Sequence, residues 1–337
     1  MEPVGVAIIG LGYGLTRASI VQSNPETRLV ALAGRTRSKV DAAAEQFGVA
    51  GYADYRELLA RDDVEIVGLY TPTGTHAEIA ETVASSGKHL VVTKPLDLNV
   101  DRADRIIAAC EASGVRLATE YIFRYTPSAF DTHQRIHDGE LGRPIIGEFS
   151  YKCYRSQAYY DSDGGWRGTW EVDGGGALMN KGIHLVDQML WMMGPAESVT
   201  AHADTYTHQI ETEDTLTALV RFRSGALGVL VATTTFHNNQ PAHTYGNDVR
   251  RIEVHGSLGS IGLTEWQRHL WAMASSEPEP SAMTPPASNV FQDMARWVRD
   301  PGYQSPTLAT GSESRKAVAF IQAAYESARN GATVRMS

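Results

Sequence analysis

The sequence predicts an α/β chain of two domains, a parallel sheet with alternating helices followed by an α+β domain with a large, mostly antiparallel sheet. Three observations carry this. Apolar runs alternate with helical segments through the first third of the chain, the pattern of a doubly wound sheet. From Ser198 onward strands follow one another with few helices between them, and Arg223–Gly225 reads as a hairpin turn. A chain of 337 residues with 42% hydrophobic content is also longer than a single core usually holds. The domains are placed at 1–122 and 123–337.

Bulk composition excludes several classes. The formal net charge is −9 and no Lys/Arg run occurs, so nucleic acid is not an expected partner. Two cysteines, Cys110 and Cys153, argue against a disulfide framework and fit a reducing compartment. The first residues lead into a strand without a basic signal region, and no apolar run has the length of a membrane span. A cytoplasmic chain without membrane contact is the expectation.

Val4–Ile9 is a short apolar run, read as a buried strand. Gly10, Gly12 and Gly14 follow at once, then a helical segment over 16–22. This strand, glycine turn and helix form the context of a dinucleotide fingerprint, in which glycines let the backbone approach a pyrophosphate at a helix N-terminus. Leu15 stands at the third glycine position, so the match is partial. The first domain is therefore read as a Rossmann dinucleotide-binding domain, with Gly10, Gly12, Tyr13 and Gly14 as cofactor contacts.

A second strand over 28–33 ends where an NAD-binding chain carries an acid for the ribose 2′-hydroxyl. Here Arg35 and Thr36 follow Gly34, which suits a 2′-phosphate. NADP(H) is the preferred cofactor on this reading, with NAD(H) the alternative. A helix over 39–47, a short helix near 55–60 and a strand over 65–70 come next. The loop Thr71–His76 lies at that strand's C-terminal end, where α/β sheets gather ligands, and contributes Thr71, Pro72 and His76 as cofactor candidates. A helix over 76–85 leads to a strand over 88–92 and then to Lys94, a lysine before a rigid proline that faces the crevice. A helix over 101–112 and a strand over 116–119 complete the domain.

In the second domain, 127–138 reads as a helix with His133 and His137 on an exposed face, and 144–154 as a strand. Residues 155–173 mix Tyr159, Tyr160, Trp166 and Trp170 with charges. The stretch reads as a glycine-rich loop without helix and as a sugar-facing wall, because rings stack on C–H faces while charged groups bond hydroxyls. Gly174–Gly176 then break the chain before a helical period. At about 100° per residue, Asn180, His184, Asp187 and Trp191 fall within about 60° of one another. An amide, an imidazole and a carboxylate on one stripe mark this helix as the site of the chemistry. Strands are expected over 198–205, 214–222, 226–234, 250–255, 260–263 and 267–273, an exposed loop over 275–288, and helices over 289–299 and 313–329. One free sheet face invites a homodimer or homotetramer.

In these motifs the chain resembles the glucose–fructose oxidoreductase/inositol dehydrogenase/MocA family. The resemblance runs through Ala7–Gly12, Thr71, Pro72 and His76, Gly87–Val91, Lys94 and Pro95, and Phe123–Tyr125 with Pro127. It continues through Gly139–Gly142, Trp166–Trp170 and Gly174–Asp187 to Tyr325–Ser327. It implies a Rossmann domain, then an α+β domain with a large open, mostly antiparallel sheet. It further implies a nicotinamide cofactor and a sugar, sugar derivative or cyclitol as substrate. Lys94 matches the lysine of the family's Glu-Lys-Pro motif, with Thr93 in place of the usual Glu. His184 matches its catalytic histidine, and Asn180 stands where inositol dehydrogenase-like members carry Asp.

The expected activity is an NAD(P)-dependent dehydrogenase acting on a CH–OH group. His184 is the general acid/base, Lys94 stabilises alkoxide charge on the same oxygen, and Asn180 orients the hydroxyl or the imidazole. Asp187 is expected to orient a neighbouring hydroxyl or the ring. Tyr121, Arg124, Tyr154 and Trp166 are further pocket candidates; Trp166 and Arg167 are also cofactor candidates. No metal site is expected. The alternatives are a lyase or glycoside-cleaving member that retains NAD, or a dinucleotide-sensing regulator without catalysis.

Overall fold

The computed structural model describes residues 2–237, 248–264, 267–272 and 282–336. The chain divides into two compact units, 1–122 with 286–315, and 123–285 with 316–337.

The first unit opens with β1 (Val4–Ile9), α1 (Gly14–Ser23), β2 (Thr27–Ala33), α2 (Arg37–Phe47), β3 (Ala50–Tyr52) and α3 (Tyr55–Leu59). It continues with β4 (Ile66–Leu69), α4 (His76–Ser85), β5 (His89–Thr93), α5 (Val100–Ala112) and β6 (Leu117–Glu120). These strands pair in parallel in the order β6-β5-β4-β1-β2-β3. Every residue of β1 and of β4 is buried, which explains their unbroken apolar runs: helices cover both faces of a parallel sheet. The glycine turn sits at the C-terminal end of β1. Gly10 has φ +102°, and a Cβ there would lie 2.3 Å from the Tyr70 carbonyl oxygen, so a side chain is excluded on two counts.

The second unit contains α6 (Pro127–His137), β7 (Pro144–Lys152), α7 (Gln157–Asp161), a π-helical turn over Leu178–Gly182 and α8 (Ile183–Met193). Then come β8 (Ala196–Asp204), β9 (Thr215–Phe222), β10 (Leu227–Thr233), β11 (Val249–Gly256), β12 (Gly259–Thr264) and β13 (Gln267–Ala272). The sheet runs β13-β12-β11-β7-β10-β9-β8, antiparallel throughout except for the β7–β10 pair. Strict alternation along β9 and β10 buries Leu216, Ala218, Val220, Phe222, Leu230 and Ala232 on one face, where α8 packs against β7. Leu219 and Leu227 are exposed on the other.

After the second unit the chain returns to the first. Here α9 (Val290–Arg299) packs on β5 and β6, and β14 (Ala309–Thr310) adds antiparallel to β6. Next, α10 (Gly311–Asn330) closes the fold with β15 (Val334–Arg335), which pairs with β8. This return corrects the single boundary at 122/123, because an amphipathic helix does not declare which sheet it covers.

Two further readings are corrected. Residues 155–173 hold α7 despite their glycines, because those glycines lie after it. The histidine face of α6 is exposed only in part: His137 is exposed, its Nε2 3.2 Å from the Trp191 carbonyl, but His133 is buried and its ring stacks on Trp191 at 3.8 Å. Burial pushes the His133 imidazole down to about 3, so it packs as a neutral ring. Of the expected loop at 275–288, residues 275–281 lie outside the described residues.

Candidate active site

In the first unit, Gly12 is exposed and a Cβ there would meet nothing within 4 Å. No side chain caps α1, and its first turn holds no acid. A turn open on one side, followed by an uncapped helix N-terminus, fits the pyrophosphate of a dinucleotide. Tyr13 is exposed beside it and receives a hydrogen bond from Arg17. Past the end of β2, Arg35 and Thr36 are exposed; Thr36 starts α2 without its side chain capping it. No carboxylate occupies the end of this strand.

The loop after β4 keeps Thr71 and Pro72 half-buried, but His76 is corrected as a cofactor contact. Its ring is fully buried, with Nδ1 3.1 Å from the Leu96 carbonyl and Nε2 3.0 Å from the Thr71 carbonyl. Desolvation lowers its pKa. His76 therefore clamps the Thr71 loop to the turn that follows Lys94. Asp97, also buried, accepts from the Ala77 and Leu98 N–H groups and from Arg102, fixing the same turn. Lys94 itself is half-buried at the end of β5. Tyr121 is corrected as a pocket wall: only 1% of its surface is exposed, so it belongs to the core.

In the second unit, the site helix begins in the interior, where its first N–H groups need partners. Glu213, immediately before β9, supplies them. Its carboxylate accepts from Gly176 N–H at 3.0 Å and Leu178 N–H at 2.8 Å, and the Tyr325 hydroxyl donates to it at 3.0 Å. The approach is so close that a Cβ on Gly176 would lie 1.8 Å from the Glu213 carbonyl oxygen, which accounts for a glycine here. Burial pushes the Glu213 carboxyl up to about 7, against the hydrogen bonds that favour its charged form.

The π turn follows, so Asn180 and His184 are not spaced as a regular α-helix would space them. Asn180 Nδ2 donates to the buried Asp173 carboxylate at 3.1 and 3.2 Å, and its Oδ1 accepts from the Tyr159 hydroxyl at 3.4 Å. This gives the amide a defined direction. The Arg167 guanidinium lies 4.8 Å from the ring centres of both Tyr159 and Trp166, and the Lys181 ammonium 5.4 Å from that of Tyr159. Thus Asn180, Trp166 and Arg167 share one aromatic and cationic cluster. The Tyr154 ring lies 4.3 Å from that of His237.

His184 is half-buried, its ring 4.7 Å from that of Phe123. The Arg250 guanidinium covers Phe123 at 3.6 Å, and burial lowers its pKa to about 10. Arg124 and Asp187 are corrected as substrate contacts. They bond each other, Nε to Oδ2 at 2.9 Å and Nη2 to Oδ1 at 2.6 Å, with 3% and 2% of their side chains exposed. A buried charge requires such a partner, and each residue supplies it for the other. Trp191, on the same stripe, is buried against His133.

Sequence reasoning placed Tyr159 in the sugar-facing wall but missed Asp173, Glu213, Tyr325 and Arg250. The one available signal was Glu213 with Asp214, two consecutive acids directly before an alternating strand.

Comparison with known proteins gives two family matches. Residues 4–121 match the family described as "Oxidoreductase family, NAD-binding Rossmann fold", and residues 131–262 match the GFO/IDH/MocA C-terminal domain. D-Apiose dehydrogenase of Paraburkholderia graminis is 24% identical, over 91% of this chain and 83% of its own. scyllo-Inositol 2-dehydrogenase (NAD(+)) of Bacillus subtilis is 28% identical, over 77% of this chain and 73% of its own. Among solved structures, the WlbA dehydrogenase of Bordetella pertussis, in complex with NADH and UDP-GlcNAcA, aligns with a TM-score of 0.86. It is 28% identical and covers 99% of both chains.

The cap on the site helix has a pH signature. An unfolded glutamate titrates near 4.5 and the folded Glu213 near 7. The favourable contribution is therefore complete below about 4.5 and lost as the pH rises through about 7. Between pH of about 5 and about 8, wild type is expected to lose on the order of 2–3 kcal/mol relative to Glu213→Gln. Urea denaturation across that range checks this; parallel pH dependences of the two proteins would contradict it.

Proposed function

This chain belongs to the GFO/IDH/MocA family of oxidoreductases, and on that premise we propose that it transfers hydride between a nicotinamide cofactor and a secondary hydroxyl or ketone. The substrate class is a sugar, sugar derivative or cyclitol, in keeping with the apiose, inositol and nucleotide-sugar names among its relatives. The observation that carries the reading is the site helix: a half-buried imidazole and an amide of defined direction, beside aromatic rings and cations, on a helix held by a buried acid.

The Gly10–Gly14 turn and the α1 N-terminus would hold the cofactor pyrophosphate, with Thr71 and Pro72 in the loop after β4 also on the cofactor; Trp166 and Arg167 remain cofactor candidates. When bound, the nicotinamide supplies the hydride chemistry. His184 takes the proton from the reacting hydroxyl during oxidation and returns it during reduction; an imidazole suits this because its ordinary titration range lies near neutrality. Lys94 stabilises the negative charge that develops on that oxygen. Asn180, its Nδ2 held by Asp173, presents Oδ1 to a substrate O–H. Tyr154 and Trp166 supply apolar surface for sugar C–H faces.

Arg35 and the uncommitted Thr36 hydroxyl favour the 2′-phosphate of NADP(H). Two copies of the chain associate through the outward sheet face, where Leu219 adjoins Val229 and Leu227 adjoins Ile146 across strands. The two buried, unbridged thiols suit a reducing cytoplasm. Among the described residues, no helix is long and apolar enough to cross a membrane.

His184→Ala should lower turnover by about 100-fold or more at nearly unchanged cofactor affinity; a fully active variant removes the assignment. Arg35→Asp should move the ratio of kcat/KM values from NADP toward NAD, and an unchanged ratio contradicts the 2′-phosphate reading. Leu219→Lys should reduce the mass measured by light scattering to that of a smaller species, whereas an unaltered mass places association elsewhere.

A further inference from the structure

Tyr151 of β7 pairs with Ala232 of β10 on one side and with Arg250 of β11 on the other, so these three residues form one row across the sheet. Register partners project their side chains from the same face. That face is the one the site helix covers. A Cβ on Gly147, four residues before Tyr151 on β7, would lie 3.4 Å from Met193 of α8. A Cβ on Gly182, in the π turn, would lie 3.0 Å from the Ala232 side chain. Ile252 and Val254, which share the face with Arg250, are buried. Arg250 therefore projects into the layer that carries Asn180 and His184, two strands along from where the π turn rests.

The Arg250 guanidinium lies 3.6 Å from the Phe123 ring centre and 5.9 Å from that of Tyr151, and the same Phe123 ring is 4.7 Å from the His184 ring. Cation and imidazole thus adjoin one aromatic ring. A cation in this half-buried place is unfavourable: burial lowers its pKa, and the neighbouring Tyr151 and Asp248 offset that only in part. Asp248, two residues earlier, accepts from the Tyr151 hydroxyl at 2.5 Å and from Arg155 Nη2 at 3.1 and 3.3 Å. A methionine would fill the space beside Phe123 and Tyr151 without burying charge. A guanidinium held against a ring keeps its N–H donors in its own plane, the geometry that grips a carboxylate or phosphate through two parallel bonds.

We propose that Arg250 is a specificity-determining residue: the substrate is an acidic sugar whose anionic group, a carboxylate or phosphate, binds the Arg250 guanidinium while His184 serves a hydroxyl of the same molecule. Because both side chains adjoin the Phe123 ring, the anion sits on the sugar unit that reacts. This rests on the reading of the site helix as the place where a sugar is oxidised.

The test compares aldoses with their uronic acids and their phosphate esters, as kcat/KM in the reduced-nicotinamide assay, for wild type, Arg250→Met and Arg250→Lys. Binding of the same sugars to protein saturated with reduced nicotinamide, which cannot oxidise them, is measured in parallel by calorimetry. Wild type should favour one acidic form over the neutral aldose by about tenfold or more, and the acid favoured identifies the anion. Arg250→Met should lower kcat/KM for that acid about 100-fold, chiefly through KM, and leave the neutral aldose nearly unchanged. Arg250→Lys, which keeps the charge but not the paired donors, should recover part of the loss. Equal use of neutral and acidic forms by wild type would overturn the proposal. So would an equal loss for both forms in both variants, since Arg250 would then be structural. Acid binding that depends on Arg250, with no sugar oxidised, would keep the acid site and remove the hydride reading instead.

Discussion

A helix that starts in the interior has backbone N–H groups that water cannot reach, and the second unit is built around satisfying them. Glu213 does so with a carboxylate that accepts from Gly176, Leu178 and Tyr325 together. Three distant parts of the chain thereby become mutually dependent. The glycines before the site helix admit the acid, the segment leading into β9 carries it, and the C-terminal helix supplies the hydroxyl. The position of Asn180 and His184 follows from this junction.

Next to Glu213, Asp214 organises the adjoining loop. Its buried carboxylate accepts from the N–H groups of Tyr206, Thr207 and His208 and from the His208 ring at 3.0 Å. His208 in turn contacts the Arg155 carbonyl through Nε2 at 2.7 Å. The Glu211 N–H donates to the Gly168 carbonyl, and the Trp170 indole donates to the Glu211 carbonyl. Consecutive acids thus hold both the helix that bears the proton-transfer residues and the aromatic loop beside it. The first unit uses a parallel device, with His76 and Asp97 fixing the turn that follows Lys94.

Much of this was legible in the sequence for physical reasons that can be named. A parallel sheet writes itself as apolar runs, and the turn after β1 writes itself as glycines. Lys94, Asn180 and His184 stood out because each is a polar residue at the end of an apolar strand or on an otherwise apolar helix. Partner choice was not legible. Arg124 and Asp187 are 63 residues apart and read singly as substrate contacts until their ion pair is seen. The same holds for His76, whose two carbonyl partners come from separate loops. The π turn escaped because a helical wheel presumes a constant angle per residue, and the return of 286–315 to the first unit because amphipathicity carries no address.

The central claim is hydride exchange with a sugar or cyclitol, and its most direct test needs no variant. Purified protein is mixed with NAD⁺ or NADP⁺ and a panel of aldoses, inositols, anhydrosugars and nucleotide sugars, and the absorbance of the reduced nicotinamide is followed. Reduction with one structural group of sugars is the predicted result. Silence across the panel from protein that already carries a bound nicotinamide would contradict the account and point to an enzyme that regenerates its cofactor within each turnover.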